Sequence, residues 1–229
     1  MLSIADNVKR AREVIAAAAQ ARGRDPAEIR LVAASKTKTA ADIREAITAG
    51  VDALGENRQQ EMSAKLSEGA YEGAPLHFIG HLQSNKVKQV AGVCDLIESV
   101  SSAELLRLIG SRAVALGIMQ EILLECNIGG EESKSGADPE ELPRLLDIAA
   151  ETPGILVRGL MAIPPISGGE GESRRYFARM SELFVDISAE KYDNVRMDFL
   201  SMGMSANYRD AILEGANMVR LGTAIFGAR

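Results

Sequence analysis

Lys36 is the first residue whose placement suggests chemistry. It follows the apolar run IRLVAAS (29–35). A lysine at the end of an apolar strand is partly desolvated, which lowers its pKa and frees its lone pair to attack an aldehyde. The plainer alternative is a lysine that snorkels to solvent. A second group lies near the C-terminus. The stretch FLSMGMS (199–205) brings Ser201 and Ser205 up to the helical segment ANYRDAILEG, and MVRLGTAIF (218–226) carries Gly222 and Thr223. Amides at a helix start attract anions, and Ser205 adds a hydroxyl. Gly222 allows close approach of backbone to a phosphate, and Thr223 adds an N–H and a hydroxyl. Read plainly, these are a turn glycine and capping serines. Arg220 stands two residues before Gly222, on the same strand face. It suits either a buried ion pair with Asp198 or Asp210, or a donor to the ring nitrogen of a ligand. A ligand with both an aldehyde and a phosphate would use the lysine and the cradle together. A phosphorylated sugar attacked by Lys36 would use them as well.

These residues need a frame that brings them to one place. Eight short apolar runs recur, at 29–35, 51–56, 76–82, 95–100, 119–126, 155–163, 199–204 and 218–226. Helical stretches lie between them. Ser3 caps a first helix carrying Ile4, Val8, Ala11 and Ile15 on one face, with Gly23 as terminator. Thr39 caps ADIREAIT before Gly50, and Ser101 or Ser102 precedes AELLRLIGSRAVAL before Gly117. Asp138-Pro139 opens a helix that Pro143 would bend. The stretch 172–191 carries Tyr176, Phe177, Met180, Leu183, Phe184 and Ile187 at helical spacing, which reads as core. Strand–helix alternation predicts an α/β fold, a single (β/α)8 TIM barrel over 1–229, with the first helix in the place of a missing last one. An open doubly wound sheet is the alternative. In a barrel the chemistry sits at the C-terminal strand ends, with the phosphate after strands seven and eight. Lys36, Asn57, His81, Ser201, Ser205, Gly222 and Thr223 all fall near such ends.

The 229 residues are 46% hydrophobic and 25% charged, with a net charge of −6. That balance is ordinary for a soluble globular chain. An acidic chain without a basic run argues against nucleic acid. No apolar stretch reaches membrane-span length, and the charged N-terminus is unlike a signal peptide. Cys94 and Cys126 have no metal-type spacing and read as buried thiols of a reduced, cytoplasmic protein.

Six motifs carry a resemblance along the whole chain: AASKTKT (33–39), GENRQQE (55–61), HFIGHLQSNK (77–86), KSG (134–136), LSMGMS (200–205) and VRLGTAIFGAR (219–229). Together they resemble the pyridoxal 5′-phosphate (PLP) homeostasis family, whose barrel is similar to the N-terminal domain of alanine racemase and of fold-type III decarboxylases. The resemblance implies PLP held as a Schiff base on Lys36, with Asn57 near the ring and Arg220 at the pyridine nitrogen. It implies phosphate contacts from Ser201 or Ser205 and from Gly222 and Thr223. His81 would line the pocket or be a satisfied histidine, His77 would be structural at the opposite end, and Lys38 and Lys134 would be secondary contacts. The racemases add a C-terminal β-domain with catalytic groups, for which this chain shows no counterpart. The implied protein is a monomer in intracellular PLP (vitamin B6) homeostasis, with apo PLP-dependent enzymes as partners and no dedicated reaction. A racemase or decarboxylase remains the alternative and would need a second proton donor, for which Tyr208 and His81 are the candidates.

Overall fold

The computed structural model describes residues 2–131, 135–165 and 171–227. The first helix, α1 (Ile4–Gln20), starts in a capping box. The Ser3 hydroxyl accepts from the Asp6 amide and the Asp6 carboxylate accepts from the Ser3 amide. This satisfies amides that have no partner within the helix. Val8, Ala11 and Ile15 are buried on one face. The chain then runs through β1 (Arg30–Ala34), α2 (Ala40–Thr48), β2 (Ala53–Glu56), α3 (Gln59–Ser67), β3 (Leu76–Phe78), α4 (Val87–Val90) and β4 (Leu96–Val100). It continues through α5 (Ala103–Leu116), β5 (Gln120–Cys126), α6 (Leu142–Ala150), β6 (Ile155–Ala162), α7 (Arg174–Ser188), β7 (Val195–Met204), α8 (Tyr208–Leu213), β8 (Met218–Leu221) and α9 (Thr223–Phe226).

All eight strands are parallel and close in sequence order, with β8 pairing back onto β1. The open doubly wound sheet is thereby set aside. α1 packs against α2, α8 and α9, which closes the helical ring where β8 meets β1, and Asn7 donates to the Ile225 carbonyl at 2.8 Å. Three short polar side chains just before strands accept from backbone amides of the neighbouring strand. Asp52 accepts from the Leu31 amide at 2.6 Å, Asp95 from Leu76 at 2.7 Å and Asn217 from Leu200 at 2.7 Å. Arg12 also binds Asp52, tying α1 to the base. The apolar core has two parts. One lies between sheet and helices; the smaller one, with Val32, Ala53, Leu96, Leu123, Met161 and Met218, fills the barrel.

Several boundaries differ from the sequence reading. The last apolar run is strand only to Leu221; Thr223–Phe226 turn into α9, which packs on α1. β3 stops at Phe78, because at Gly80 the chain abuts the Asn57 backbone. β7 begins earlier than expected, at Val195. Pro139 opens a 3-10 turn and Pro143 falls in the first turn of α6, where a missing N–H costs nothing, so it does not bend the helix. α3 and α4 were not anticipated. Cys94 and Cys126 are free and buried, and burial pushes both thiols up to about 12.

Gly159 marks where β6 and β7 shift register. Its φ is +144°, and a Cβ there would lie 1.9 Å from the Phe199 carbonyl oxygen. Gly159→Ala is expected to lower unfolding stability by about 3 kcal/mol or more, since both the backbone conformation and the close contact are lost. Urea denaturation measures it; an unchanged midpoint would mean that the strands do not close in this register.

Candidate functional site

The C-terminal strand ends form the mouth of the barrel. Leu221 pairs with Ala33, so Gly222 follows in line with Ala34, two residues before Lys36. Met204 pairs with Arg220, which places Ser205 beside the same corner. Lys36 and the expected phosphate cradle therefore share one end of the barrel.

Lys36 sits in a tight turn closed by the Lys38 amide donating to the Ser35 carbonyl at 3.0 Å. Thr37 adopts φ +65°, among the described residues the only non-glycine with positive φ. A β-branched residue in that region is strained and persists only where its surroundings hold it. Here the Glu61 carboxylate accepts from the Thr37 amide. Glu61 is held in turn by Lys65 at 2.7 Å, and Lys65 also donates to Glu56 at 2.7 Å and to the Ser35 carbonyl at 2.8 Å. Glu56 is fully buried and also accepts from Ser35 and Tyr71. Burial, with the Glu56 charge beside it, pushes the Tyr71 hydroxyl well above its ordinary range. The turn that presents Lys36 is thus bolted to α3 through a buried ion network. Lys36 itself is exposed, so the partial desolvation expected of it is absent. It opens, with Thr37, Asn57, Arg58 and Glu61, onto a cavity of about 340 Å3.

Asn57, half-buried, belongs to that cavity. Gly80 holds it in place: a Cβ at Gly80 would lie 2.2 Å from the Asn57 carbonyl oxygen. His81 is exposed on the rim, and its Nδ1 lies 3.1 Å from the Ser135 hydroxyl. Lys38 points away, donating to the Phe226 carbonyl at 3.3 Å and lying over the Phe226 ring. Lys134 lies outside the described residues.

On the adjacent strand end, the Gly222 and Ala224 amides both donate to the Ser205 hydroxyl at 3.1 Å. Gly222 has an ordinary negative φ, and a Cβ on it would meet nothing nearer than the Ala34 carbonyl oxygen at 3.5 Å. Neither backbone conformation nor packing thus accounts for the missing side chain, which leaves room beside the amides. Thr223 is exposed next to it.

Arg220 and Ser201 lie deeper. Arg220 is buried, and its counter-ion is Glu98 at 3.7 Å, not Asp198 or Asp210. Asp198 pairs with Arg158 at 2.6 Å, and Asp210 lies near Arg209. Arg220 donates to Ser201 at 2.6 Å and to the Ala162 carbonyl at 3.0 Å. Ser201 is fully buried and donates to Glu98 at 2.6 Å, so its hydroxyl is committed to the arginine rather than to the phosphate corner. The other Glu98 oxygen lies 2.7 Å from His77 Nδ1. Burial would raise the Glu98 carboxyl, but the His77 hydrogen bond and charge, Arg220 and Ser201 outweigh it and hold the carboxyl below its ordinary value. His77 lines a second, basal cavity of about 250 Å3, opposite the mouth. Glu125 is a second acid near Arg220. Burial pushes its carboxyl up to about 7 despite the arginine, and its Oε2 has no hydrogen-bond partner. Glu56, Lys65, Glu98 and Glu125 were missed in the sequence reading. The signal available was a glutamate inside each of LIESV and ILLEC.

The chain matches the family model described as the alanine racemase N-terminal domain over residues 3–229. It is 42% identical over 229 residues to a protein of Pseudomonas aeruginosa named pyridoxal phosphate homeostasis protein, covering all of this chain and 97% of the relative. A protein of the same name from Aquifex aeolicus is 40% identical, covering 99% of the relative. PipY of Synechococcus elongatus, solved with PLP bound, superposes with a TM-score of 0.80 at 34% identity, covering 93% of this chain and 100% of that one. An alanine racemase of Clostridium difficile shares the barrel at a TM-score of 0.73 and 17% identity; this chain spans 60% of its length.

Glu125 supplies a pH test of the interior. Its folded pKa lies above the ordinary 4.5, so the fold binds the proton more tightly than the unfolded chain. The associated stability is fully present below the unfolded value and is lost as pH rises through about 7. Between about pH 5 and about pH 8 the parent is expected to lose on the order of 3 kcal/mol relative to Glu125→Gln. Urea midpoints across pH measure this, and parallel profiles for the two proteins would refute it.

Proposed function

Because the chain belongs to the alanine racemase N-terminal domain family, and within it to the pyridoxal phosphate homeostasis proteins, we propose that it binds PLP covalently through Lys36 at the barrel mouth and serves as a carrier of the cofactor. The observation that carries this is the shared corner: an exposed lysine on a strained, braced turn, two residues beyond the strand residue that faces Gly222 and its amides. The residues fit the cofactor. When bound, PLP supplies an aldehyde for a lysine and an electron-poor ring; everything else is the work of the chain. Lys36 provides the amine, and Glu61 with Lys65 keeps its turn in place. Gly222, Thr223 and Ser205 would take the phosphate, an oxygen entering the space beside Gly222 and replacing the Ser205 hydroxyl on its amide. Asn57, which lines the same cavity as Lys36, would contact the ring. Arg220 stands below the cradle as a donor to the ring nitrogen; a guanidinium keeps its protons, so it favours an unprotonated ring, a weaker electron sink.

The carrier reading is preferred to a racemase or decarboxylase. Of the two candidate proton donors, Tyr208 is packed against the outer core and His81 is engaged with Ser135 on the rim. The protein is then a cytoplasmic monomer that holds PLP and hands it to apo PLP-dependent enzymes. Among the described residues no helix is long and apolar enough to cross a membrane.

The decisive experiment saturates the parent and Lys36→Ala with PLP, desalts both and records visible spectra. The parent is expected to keep a band for lysine-bound cofactor and the variant to lose it; a colourless parent would overturn the reading in favour of a phosphosugar ligand. The loaded parent is also expected to leave the α-proton of alanine unexchanged in deuterated buffer, as followed by NMR. Exchange above background would make it an enzyme.

A further inference from the structure

Arg220 is buried beneath the mouth, its partners all come from other strands, and those partners form a continuous chain. His77 on β3 meets Glu98 on β4 at 2.7 Å, Glu98 meets Ser201 on β7 at 2.6 Å, and Ser201 meets Arg220 on β8 at 2.6 Å. His77 lines the basal cavity, while Arg220 lies two residues below Gly222 at the mouth. The donor order follows from the chemistry. A carboxylate only accepts, so His77 Nδ1 and Ser201 both donate to Glu98, and the Ser201 oxygen is left to accept from Arg220. We propose that Glu98 is the positioning residue for Arg220, fixing the guanidinium below the mouth and supplying its counter-charge, with Ser201 as the bridge and His77 as the brace on the far side.

Three observations support this. Glu98 and Arg220 are both buried, and a buried guanidinium without a counter-ion is strongly disfavoured. The Arg220–Glu98 separation of 3.7 Å is too long for a direct hydrogen bond, so the serine hydroxyl carries the geometry between the two charges. The alternative counter-ion, Glu125, has an oxygen without a partner and no hydrogen bond to Arg220. Two of the five guanidinium donors are used, on Ser201 and on the Ala162 carbonyl, so the group is oriented while donors remain for a ligand acceptor. Glu98 thereby balances the arginine's charge, and what it offers upward is a hydrogen bond in a neutral pair. That suits an unprotonated ring nitrogen. This last step rests on PLP being the ligand; the positioning itself does not.

The test has a part that needs no cofactor. In the protein alone, the Arg220 side-chain N–H groups are expected to exchange slowly with solvent by NMR, and at least about tenfold faster in Glu98→Gln, where the charge is gone and the shape retained. Ser201→Ala, which keeps both charges and removes the bridge, is expected to fall between them and serves alone if Glu98→Gln does not fold. Unchanged exchange in the folded variants would overturn the positioning role. In the second part, PLP-loaded Glu98→Gln is expected to keep its Lys36-dependent band, shifted in wavelength, and to release PLP roughly tenfold faster than the parent. Ile109→Val, a conservative change in the outer core remote from Arg220, should move neither. Accelerated exchange with a parent that never colours would sink the PLP reading and leave the positioning standing. A coloured parent whose band and release are matched by Glu98→Gln would sink the inference and leave the reading standing.

Discussion

A guanidinium enclosed in a closed barrel must be neutralised and hydrogen-bonded there, and much of the interior is arranged around that requirement. Arg220 enters from β8, its counter-charge from β4, its bridging hydroxyl from β7 and a carbonyl from the end of β6. No single strand or hairpin could supply this set. Only closure brings β4 across the axis from β8, so the polar centre and the barrel topology depend on one another. The small apolar cluster inside the barrel completes the interior around these groups, and a low-dielectric interior is what makes the pairing strong and its loss expensive.

The mouth repeats this logic with a different network. Lys36 itself is exposed, but the turn that carries it has a threonine in the left-handed region. A strained conformation of that kind relaxes unless something opposes it. Opposition comes from Glu61, itself fixed by buried Lys65, which is fixed by fully buried Glu56. The Lys36 amine is therefore exposed at its tip while its backbone is held at the base. On the neighbouring strand end the Gly222 corner is equally prepared, two amides already converging on one oxygen. Both halves of the mouth owe their position to residues beneath them.

Much of the frame was legible in the sequence because it is local. Apolar runs, capping residues such as Thr39 and Ser102, and terminators such as Gly117 act over a few neighbours, and the elements they specify are present. Lys36 and Gly222 were legible because the barrel rule converts the end of a strand into a place at the mouth. What was not legible depends on register around the closed sheet. Glu98 and Glu125 each stand two residues after an inward leucine, Leu96 and Leu123, so alternation alone marks them as interior. Which arginine they meet depends on the stagger of four strands, and that is not a local property. Ser201 illustrates the cost. Its residue type and motif suggested a phosphate contact, while its depth in β7 commits it to Arg220 and Glu98. Thr37 is a different case, since nothing in its residue type announces a positive φ.

The two networks also divide the work between the groups that a bound ligand would meet. The Lys36 turn is braced from outside the sheet, by α3, and Arg220 is braced from within it, by β3, β4 and β7. The two share no residue. A change at Glu61 can therefore alter how the amine is presented without disturbing the guanidinium, and a change at Glu98 does the reverse. Sites far apart without shared partners act additively. The positions of the Lys36 amine and of the Arg220 guanidinium can be adjusted separately, while the barrel that carries both stays the same.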